Sequence, residues 1–502
     1  MKTTIALVVD NRRIGRWQED ALLEIQDLAD VALILNCTNT ANKRHPIRHG
    51  AYYALNLVSI RNPATREHGI DFGACPVIDF ESRYEGNWQW IPDAIVTRLR
   101  DSGCRVVIKF GMSLLKMDNL QGLDVLSFHH GDPRYYRGRP AGFYELLDDA
   151  KSIGLMVQKL SNVLDGGQVL ALGHAKAYKY SYRQTVEGLY RSSPALLRHA
   201  MLNLLAGRQA NITPNGKNYR LPSNWLVARF CARLLARKLQ RLMYGVFWEK
   251  RWNIAVVENL DPTRATALAL SDARYPQLPA KYSFYADPFF SADGTCIRAE
   301  AMVGTTGRGE IVELDPETLQ IRRILLTGPH FSYPYSVFDG GHEYILPEVA
   351  NHEAPYLLRV TAESTQKIPL RGLEQLRLAD SSLIKADERY YLFGGVAGSE
   401  ASMLQLYVSD AIEGPYHAHR MNPVVMNPLC ARMGGRLLLR NDKLYRFGQD
   451  NSDSYGNGIR IMEIVKLDTE FYEEQEIGEL RFSDASGPHT VDDCNGRAVL
   501  DF

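Results

Sequence analysis

A short segment that begins at Leu126, LSFHHGDPRYYRGRP, crowds residues capable of acid–base chemistry directly after an apolar run. His129 or His130 could act as a general base, because an unperturbed imidazole titrates close to neutral pH. Asp165 lies 36 residues after His129 and precedes two glycines that let a backbone come close to a ligand. A histidine and an aspartate on neighbouring loops make a base and its orienting group, although such pairs are also common as structural contacts.

The elements that must position these side chains come earlier in the chain. Three Val/Ile-rich runs, IALVV, VALIL and VVIKF, have the composition of buried strands. Between the first two, RWQEDALLEIQDLA carries apolar residues at helical spacing. Strand, helix and strand in this order predict an α/β domain with a mainly parallel sheet. Its ligand site should lie outside the carboxyl ends of the strands, where LSFHHGD leaves its own strand.

Composition limits the classes of function. The chain has 502 residues, which predicts two or three domains, and its 58 basic and 58 acidic residues give no net charge to attract nucleic acid. Seven scattered cysteines lack zinc-site spacing and are typical of reduced thiols. The apolar run at the N-terminus is typical of a first strand rather than a signal peptide, and no stretch has the length of a membrane span. We therefore expect a soluble, cytoplasmic protein with no metal site and no nucleic-acid partner.

The character of the chain changes twice, which predicts an α/β domain over 1–195, a helical linker over 196–250 and an all-β domain over 251–502. Residues 224–247 have helical periodicity and a basic stripe, with Arg229, Arg233, Arg237 and Arg241 at every fourth position. This helix could make peripheral contact with a membrane surface. The simpler interpretation is a brace packed between domains with its arginines in water.

From Trp252 onward, short strands bounded by Gly, Asp, Asn and Pro replace the helical pattern. The segments FYADPFFSADGT, SYPYSVFDGGHEY, LADSSLIKADERYY and ARMGGRLLLRNDKLY resemble one another, each with a polar entry, a strand, a turn and a second strand. Repetition at roughly 40 to 60 residues predicts propeller blades, and about five fit the length. The predicted fold class is a Rossmann-like α/β domain followed by a five-bladed β-propeller.

Several motifs follow one another in order between Leu126 and Gly173: His129, Pro133, Tyr136-Arg137-Gly138, Gly154-Leu155-Met156-Val157 and Asp165-Gly166-Gly167. In this order and spacing they resemble the catalytic segment of the 10-formyltetrahydrofolate-dependent formyltransferases, a group that includes methionyl-tRNA, glycinamide ribonucleotide and sugar N-formyltransferases. The resemblance covers roughly the first 175 residues. It implies transfer of a formyl group from 10-formyltetrahydrofolate to an amine, without a metal.

The resemblance also implies roles for individual residues. His129 would take the proton from the attacking amine, and Asp165 would orient His129. The family's asparagine, which donates to the oxyanion, is replaced here by Ser127. A serine hydroxyl can donate, but the loss of one well-aimed donor costs about a hundredfold in rate. Without an adequate donor, the domain carries out other acyl chemistry, or it has lost catalysis and serves as a binding module.

Ligand contacts follow from the same resemblance. The pterin of the donor would meet the backbone of Phe110, Gly111 and Leu114. Substrate contacts would come from Arg137 together with His130 and Tyr136. The planar guanidinium of Arg137 suits a phosphate or carboxylate, although a bond to loop carbonyls is an equally common use of arginine.

Motifs spread over the second half include Ala286-Asp287-Pro288-Phe289, Ser332-Tyr333-Pro334-Tyr335 and Ile345-Leu346-Pro347-Glu348. They resemble the N-terminal domain of plant glucosamine inositolphosphorylceramide transferases, which is similar to the five-bladed propellers of arabinanases and xylosidases. Asp287 matches the base of those hydrolases, and Glu300, Glu348 or Asp380 could supply an acid. A glycan-binding face is the alternative, and its expected polar contacts are Asp287, Arg432, Arg446 and Gln449, with Tyr285, Tyr333, Tyr335 and Tyr455 as aromatic platforms. Otherwise the tyrosines pack between blades.

Together these features predict an N-formyltransferase that acts on an amine, with an amino sugar of surface-glycan synthesis as the best-fitting acceptor. The alternative is a protein that works through its propeller, by glycosyl transfer, hydrolysis or glycan binding, while the first domain is not catalytic.

Overall fold

The computed structural model describes residues 2–39, 46–69, 73, 75–247, 251–361 and 364–502. The chain divides into two compact units, Met1–Phe247 and Trp248–Phe502. None of the helices in the described ranges is both long enough and apolar enough to cross a bilayer.

The first unit contains thirteen strands and six helices in its described ranges. The strands are β1 (Thr3–Asp10), β2 (Arg13–Gly15), β3 (Ala29–Cys37), β4 (Glu67–Gly69), β5 (Val77–Phe80), β6 (Arg83–Glu85), β7 (Trp88–Trp90), β8 (Val106–Lys109), β9 (Asp124–His129), β10 (Tyr136–Gly138), β11 (Ser152–Lys159), β12 (Gln168–Lys176) and β13 (Lys217–Tyr219). The helices are α1 (Arg16–Leu23), α2 (Pro46–Ser59), α3 (Asp93–Asp101), α4 (Phe143–Leu147), α5 (Tyr182–Leu205) and α6 (Asn224–Phe247).

One mixed sheet organises this unit. Strands β5, β3, β1, β8 and β9 lie side by side and run parallel, β11 pairs antiparallel with β9, and β12 pairs antiparallel with β11. The predicted strands IALVV, VALIL and VVIKF form β1, β3 and β8 with its following residue, and their central side chains are fully buried. The predicted α/β fold with a mainly parallel sheet is confirmed.

The helical segment predicted as a separate linker belongs to the first unit in the structure. Helix α5 begins at Tyr182, ahead of the predicted boundary at 195, and packs on β11 and β12. The side chain of Phe230 on α6 is buried against Phe143, with ring centroids 4.2 Å apart. Sequence periodicity marks a helix but not the surface on which it packs, so the boundary at 195 divided one helix.

Three of the four arginines of α6 differ from their prediction, while Arg229 is exposed as expected. Arg237 forms an ion pair with Asp149 at 2.6 Å, and Arg233 donates to the carbonyl oxygen of Leu147 at 2.7 Å. Arg241 lies over the ring of Tyr180 at 3.9 Å. These side chains therefore bind the first unit rather than standing free in water.

Over residues 251–361 and 364–502, the second unit consists of short strands and one 3₁₀ turn, Leu270–Asp272. Its strands are β14 (Ile254–Glu258), β15 (Thr266–Leu268), β16 (Tyr282–Phe290), β17 (Ile297–Val303), β18 (Arg308–Leu314), β19 (Ile321–Leu326), β20 (Ser332–Asp339), β21 (His342–Glu348), β22 (Tyr356–Val360), β23 (Thr365–Pro369), β24 (Leu378–Ala386), β25 (Arg389–Val396), β26 (Met403–Ser409), β27 (His417–Ala418), β28 (Val425–Met426), β29 (Leu438–Arg440), β30 (Lys443–Gln449), β31 (Ile459–Leu467), β32 (Tyr472–Phe482), β33 (Val491–Cys494) and β34 (Arg497–Asp501).

These strands form five sheets, which are the blades of a propeller. Three blades are continuous in sequence: β16 to β19, β20 to β23, and β24 to β28. A fourth combines β29 to β32 with β15, and the fifth pairs β33 and β34 with β14 from the start of the unit. Pairing of the first strand with the last closes the ring, so the sheet edges that would end an open array are joined. The predicted five-bladed propeller is confirmed.

The inner strands of three blades share a local distortion. Asp287, Tyr333 and Asp380 stand at equivalent places in β16, β20 and β24, where the strand register shifts. Their φ angles of 51°, 45° and 45° are left-handed, which is uncommon for residues with a side chain. A bulge of this kind re-aims a side chain, and such strain clusters at functional sites.

Candidate functional site

The structure brings His129 and Asp165 together. His129 ends β9 and is buried, and its Nδ1 lies 3.3 Å from Oδ2 of Asp165 in the loop between β11 and β12. The same carboxylate oxygen accepts a hydrogen bond from the backbone N–H of Gly138 at 2.8 Å. Asp165 therefore holds both the imidazole and the strand β10 that crosses above it.

The second nitrogen of His129 is also engaged. Its Nε2 lies 3.0 Å from the carbonyl oxygen of Tyr136. Because a carbonyl and a carboxylate are both acceptors, the doubly protonated ring satisfies both contacts. The neutral ring with its proton on Nδ1 would point a lone pair at the Tyr136 carbonyl, so action as a base requires β10 to move away.

A two-stranded cover lies over this pair. Strand β10 pairs in parallel with β13, and the approach is so close that a Cβ at Gly138 would lie 2.2 Å from the carbonyl oxygen of Tyr219. Arg137 donates to the carbonyl oxygen of Pro214 at 2.9 Å, and the rings of Tyr136 and Tyr219 stack with centroids 5.6 Å apart. The side chain of Arg137 is thus bonded to a loop carbonyl. This is the second of the two uses that the sequence analysis considered for this arginine.

A cavity of about 190 Å³ adjoins His129 beneath this cover. It is lined by His129, His130, Tyr136, Arg137, Gly138, Arg139, Pro140, Tyr144, Glu145 and Tyr219. This volume includes open solvent, and the space inside it holds about one water molecule, so a larger ligand requires displacement of the cover.

Two titratable residues of the cavity have strongly shifted pKa values. Burial raises the pKa of Glu145 to about 8, so this carboxyl group is largely protonated at neutral pH. Burial and the neighbouring His129 lower the pKa of His130 to about 3. His130 Nε2 lies 2.9 Å from the hydroxyl of Ser193, and its ring packs 4.5 Å from that of Tyr190. His130 is therefore a neutral, packed side chain rather than a proton carrier.

One face of the sheet carries a row of polar side chains, which we call the polar row: Asp10, Lys109, Ser127, His129 and Gln158. Val8, Lys109, Ser127 and Gln158 are Cα partners across β1, β8, β9 and β11, and their side chains therefore share one face of the sheet. Asp10 and His129, two residues beyond Val8 and Ser127, lie on the same face. Within the described part of the chain, the hydroxyl of Ser127 makes one long contact, 3.5 Å, to the carbonyl oxygen of Phe128.

The predicted donor-binding residues follow Lys109 directly, and their backbone groups are engaged within the protein. Phe110 and Gly111 both donate from N–H to the carbonyl oxygen of Val8, at 2.9 and 2.8 Å, and the carbonyl of Leu114 accepts from Gln89 at 2.7 Å. A Cβ at Gly111 would lie 2.6 Å from Oδ1 of Asp10, so glycine permits this close approach. In this state a pterin would meet the side-chain surface of the loop rather than these backbone groups.

A second cluster, which we call the axial cluster, lies where the five blades meet. Each blade contributes one side chain: Asp287, Tyr333, Asp380, Arg432 and His489. His489 lies 3.1 Å from Asp287 through Nε2 and 3.1 Å from Asp501 through Nδ1. Burial alone would lower the pKa of His489, but Asp501 and Asp287 raise it to about 10. This grouping could hold a cation by its spacing, yet the single positive charge of the imidazolium already balances one of the two carboxylates.

Two further acids border this axial cluster. Burial, followed by the charge of Asp287, raises the pKa of Glu300 well above its ordinary range, and Glu300 Oε1 has no hydrogen-bond partner among the described residues. Burial, followed by Asp380, has the same effect on the pKa of Glu348. Arg432 pairs with Asp380 at 3.2 Å. The cluster thus places two carboxyl groups of raised pKa beside the charged groups of Arg432 and His489, which suits hydrogen bonding to sugar hydroxyls and acid–base chemistry.

Two of the predicted substrate residues are structural. Arg446 is fully buried and forms a bidentate pair with Glu474 at 2.7 and 2.6 Å. Gln449 is fully buried and donates to Asp380 at 2.9 Å and to the carbonyl of Met433 at 2.7 Å, so it positions a cluster residue. The assignment of Arg446 to the substrate is therefore wrong, because residue type does not show which way a strand residue faces.

The tyrosines divide in the same way. Three of them are buried, as expected for tyrosines that pack between blades: Tyr285, Tyr333 and Tyr335. Tyr455 is 40% exposed and lies over Arg432 at 5.1 Å and beside His489 at 5.0 Å. It is the tyrosine of this set that can offer a ring to a sugar.

Comparison with known proteins bears on the second unit most directly. Residues 270–492 match the family described as Glucosamine inositolphosphorylceramide transferase 1, N-terminal. The chain is 33% identical over 206 residues to glucosamine inositolphosphorylceramide transferase 1 of Oryza sativa subsp. japonica, a match that covers 38% of this chain and 28% of that protein. The Arabidopsis thaliana protein of the same name is 26% identical over 212 residues, or 39% of this chain and 27% of its own length. The resemblance of the second half is confirmed.

Solved structures align with each half separately. Glycinamide ribonucleotide transformylase 1 from Symbiobacterium toebii is 16% identical, with a TM-score of 0.28, and the alignment covers 44% of this chain and 94% of that one. An exo-1,5-alpha-L-arabinanase from a bovine ruminal metagenomic library is 13% identical, with a TM-score of 0.31, over 45% of this chain and 92% of that one.

The sequence analysis missed several residues of these clusters, among them Lys109, Glu145 and His489. Lys109 and Glu145 stand inside apolar segments, and a charge within a buried run was the available sign of a functional group. His489 follows a Gly-Pro pair in a segment that resembles an ordinary turn.

Proposed function

We propose that the first unit transfers a formyl group from 10-formyltetrahydrofolate to an amine, and that the propeller recognises the glycan that carries or neighbours this amine. The observation that carries the proposal is the 3.3 Å contact between His129 and Asp165 at the end of β9. The order of motifs around this pair resembles that of formyltransferases. Relatives of the propeller are named for glucosamine, which is an amino sugar.

The reaction needs few groups. The amine nitrogen attacks the formyl carbon, the resulting oxyanion collapses, and the bond from carbon to the donor nitrogen breaks. The proton lost by the amine must reach that leaving nitrogen. His129, oriented by Asp165, can carry this proton once Tyr136 releases Nε2. Glu145, on the wall of the cavity, can also exchange a proton with an amine, because burial raises the pKa of this carboxyl group to about 8.

The test is incubation of the protein with 10-formyltetrahydrofolate and a panel of amino sugars, free, nucleotide-linked and lipid-linked. Mass spectrometry of the acceptors would show the gain of one formyl group. The Asp165→Asn variant should give none above background, while Asp124→Asn at the opposite end of β9 should match the wild type.

A second candidate function rests on the axial cluster of the propeller. The three left-handed residues and the neighbouring protonated acids suit a glycan site that binds, hydrolyses or transfers sugar, with the first unit non-catalytic. Under this alternative Asp287→Asn abolishes activity; under the first proposal it leaves formylation of a simple free amine intact.

We also propose that the protein acts in the cytoplasm and that α6 contacts an anionic membrane surface. Residues 224–247 include five basic and no acidic side chains; Arg233, Arg237 and Arg241 contact the first unit, and Arg229 and Lys238 are exposed. The second half of α6 carries exposed Leu235, Leu239, Leu242, Met243 and Val246 at helical spacing. Apolar and basic groups on one helix suit the interface of an anionic bilayer, where a lipid-linked acceptor would be found.

A further inference from the structure

Lys109 stands in the middle of the polar row, between Asp10 on one side and Ser127 on the other. Its Cα partners are Val8 in β1 and Ser127 in β9, so its side chain leaves the same sheet face as His129. Gln158 extends the row on the far side of Ser127. The charged groups that face Lys109 are Asp10 from the end of β1, Asp165 from the β11–β12 loop and His129 from β9.

Lys109 is half-buried and makes no hydrogen bond or ion pair with any residue in the described ranges. Asp10, its nearest candidate partner by sheet position, accepts instead from the N–H of Met112 at 3.0 Å. Burial lowers the pKa of Lys109 to about 8, against the opposing effect of Asp10 and Asp165. An amine with a lowered pKa that has no protein partner and shares a sheet face with His129 is typical of a functional group rather than a structural one.

The surrounding residues show which ligand the amine faces. Lys109 is followed by Phe110, Gly111 and Leu114, the segment expected to meet the formyl donor. His129 lines the cavity together with Arg137 and Arg139. A formyl group presented from the donor segment would therefore stand between Lys109 and His129. Ser127, whose hydroxyl is hardly engaged, is the neighbouring donor on this face.

We propose that the ammonium group of Lys109 stabilises the oxyanion of the tetrahedral intermediate, and that it supplies with Ser127 the stabilisation that an asparagine gives in the resembling family. This inference rests on the proposed formyl transfer. Lys109 Nζ keeps its proton throughout and donates a hydrogen bond to the formyl oxygen, whose negative charge appears on attack and disappears when the donor nitrogen leaves. A fixed positive charge aimed at a developing oxyanion is one of the strongest catalytic effects available to an enzyme.

The experiment compares Lys109→Met, Lys109→Arg and Lys116→Met in formylation kinetics. Lys116, which follows Lys109 by seven residues, is a matched control because it is also partly buried. Its ammonium group lies over the ring of Trp88. We expect Lys109→Met to lower kcat about a hundredfold with binding of a stable donor analogue nearly unchanged. Lys109→Arg should recover a large part of this loss, and Lys116→Met should match the wild type.

The pH profile gives a second readout that a structural role would not change. Wild-type activity should fall as pH rises past about 8, where the ammonium loses its proton, whereas the Arg variant should keep its activity there because guanidinium stays charged. Normal kcat in Lys109→Met, or the same alkaline fall in Lys109→Arg, would overturn the role of Lys109 alone. Absence of formylation by the wild type on every acceptor would instead overturn the proposed function, and this role with it.

Discussion

Nδ1 of His129 lies 3.3 Å from Oδ2 of Asp165, and the same oxygen holds the backbone of β10 through Gly138. This single carboxylate therefore links the orientation of the imidazole to the cover above it. Loss of its charge should release both.

The Asp165→Asn variant tests this link. An amide can imitate the shape of the carboxylate but cannot balance an imidazolium, so kcat for formyl transfer should fall by at least about a hundredfold. Hydrogen exchange of residues 136–138 should accelerate at the same time, because the acceptor for the Gly138 N–H is weakened. Unchanged exchange in this segment would show that Asp165 does not hold the cover.

Glu145 predicts how the stability of the first unit depends on pH. Its folded pKa of about 8 lies above the unfolded value, so the folded state binds the extra proton and stability falls as pH rises from about 5 to 8. Glu145→Gln should remove this pH dependence, which changes the free energy of unfolding by up to about 1.4 kcal/mol for each pH unit. Hydrogen exchange of β9 and α4 amides at several pH values would measure it, and parallel pH dependences of the wild type and the variant would contradict it.

The buried pair of Arg446 and Glu474 predicts stability of the second unit. Arg446→Met leaves Glu474 buried without its partner and should cost about 3–5 kcal/mol. Lys443, also on β30, forms a 3.0 Å pair with Glu463 but is half-exposed, so Lys443→Met should cost less than about 1 kcal/mol. Urea unfolding monitored in the propeller compares the two, and equal costs would show that Arg446 is not a structural residue.

Tyr455 tests the axial cluster as a glycan site. Tyr455→Ala removes an exposed ring above Arg432 and should weaken binding of amino-sugar glycans about tenfold or more, since an aromatic platform contributes on the order of 1–2 kcal/mol. Tyr275→Ala is the control, because this exposed tyrosine packs on Phe502 instead. Calorimetry with glucosamine-bearing oligosaccharides should separate the two variants; equal affinities would place the glycan elsewhere.

Helix α6 should bind anionic vesicles. Leu239 and Leu242 are 54% and 58% exposed, and replacing both with Glu should abolish cosedimentation with phosphatidylserine vesicles. Leu439→Glu, at a 72% exposed leucine of the propeller, is the control. Binding should weaken as salt is raised. The proposal of an anionic surface would be rejected if both variants cosedimented equally well with the vesicles. It would also be rejected if the wild type bound neutral vesicles as well as anionic ones.

Much of the fold could be predicted because it depends on local patterns. A short Val/Ile-rich run such as IALVV is most stable as a buried strand. Short strands separated by turn residues at regular intervals favour the repeated blades of a propeller. The proximity of His129 and Asp165 could be anticipated only through the order of motifs around them. Nothing in the spacing of these residues shows that the Tyr136 carbonyl faces Nε2.

Burial of polar residues could not be predicted. Arg446 and Arg432 have the same side chain and lie in neighbouring segments, yet one is a buried brace and the other faces the axial cluster. Lys109 belongs to a run that indicates a strand, and only the register of β1, β8 and β9 places it beside Ser127. Such relationships depend on which strands become neighbours, and composition does not contain that information.

The most direct test of formyl transfer is calorimetric titration of a stable 10-formyltetrahydrofolate analogue into the wild-type protein and into the His129→Ala, Asp165→Asn double variant. Micromolar binding to both, with protection of residues 106–114 from hydrogen exchange and loss of turnover only in the double variant, is the predicted result. Absence of binding at millimolar analogue would contradict the formyl-donor account and move the search for activity to Asp287 and the axial cluster of the propeller.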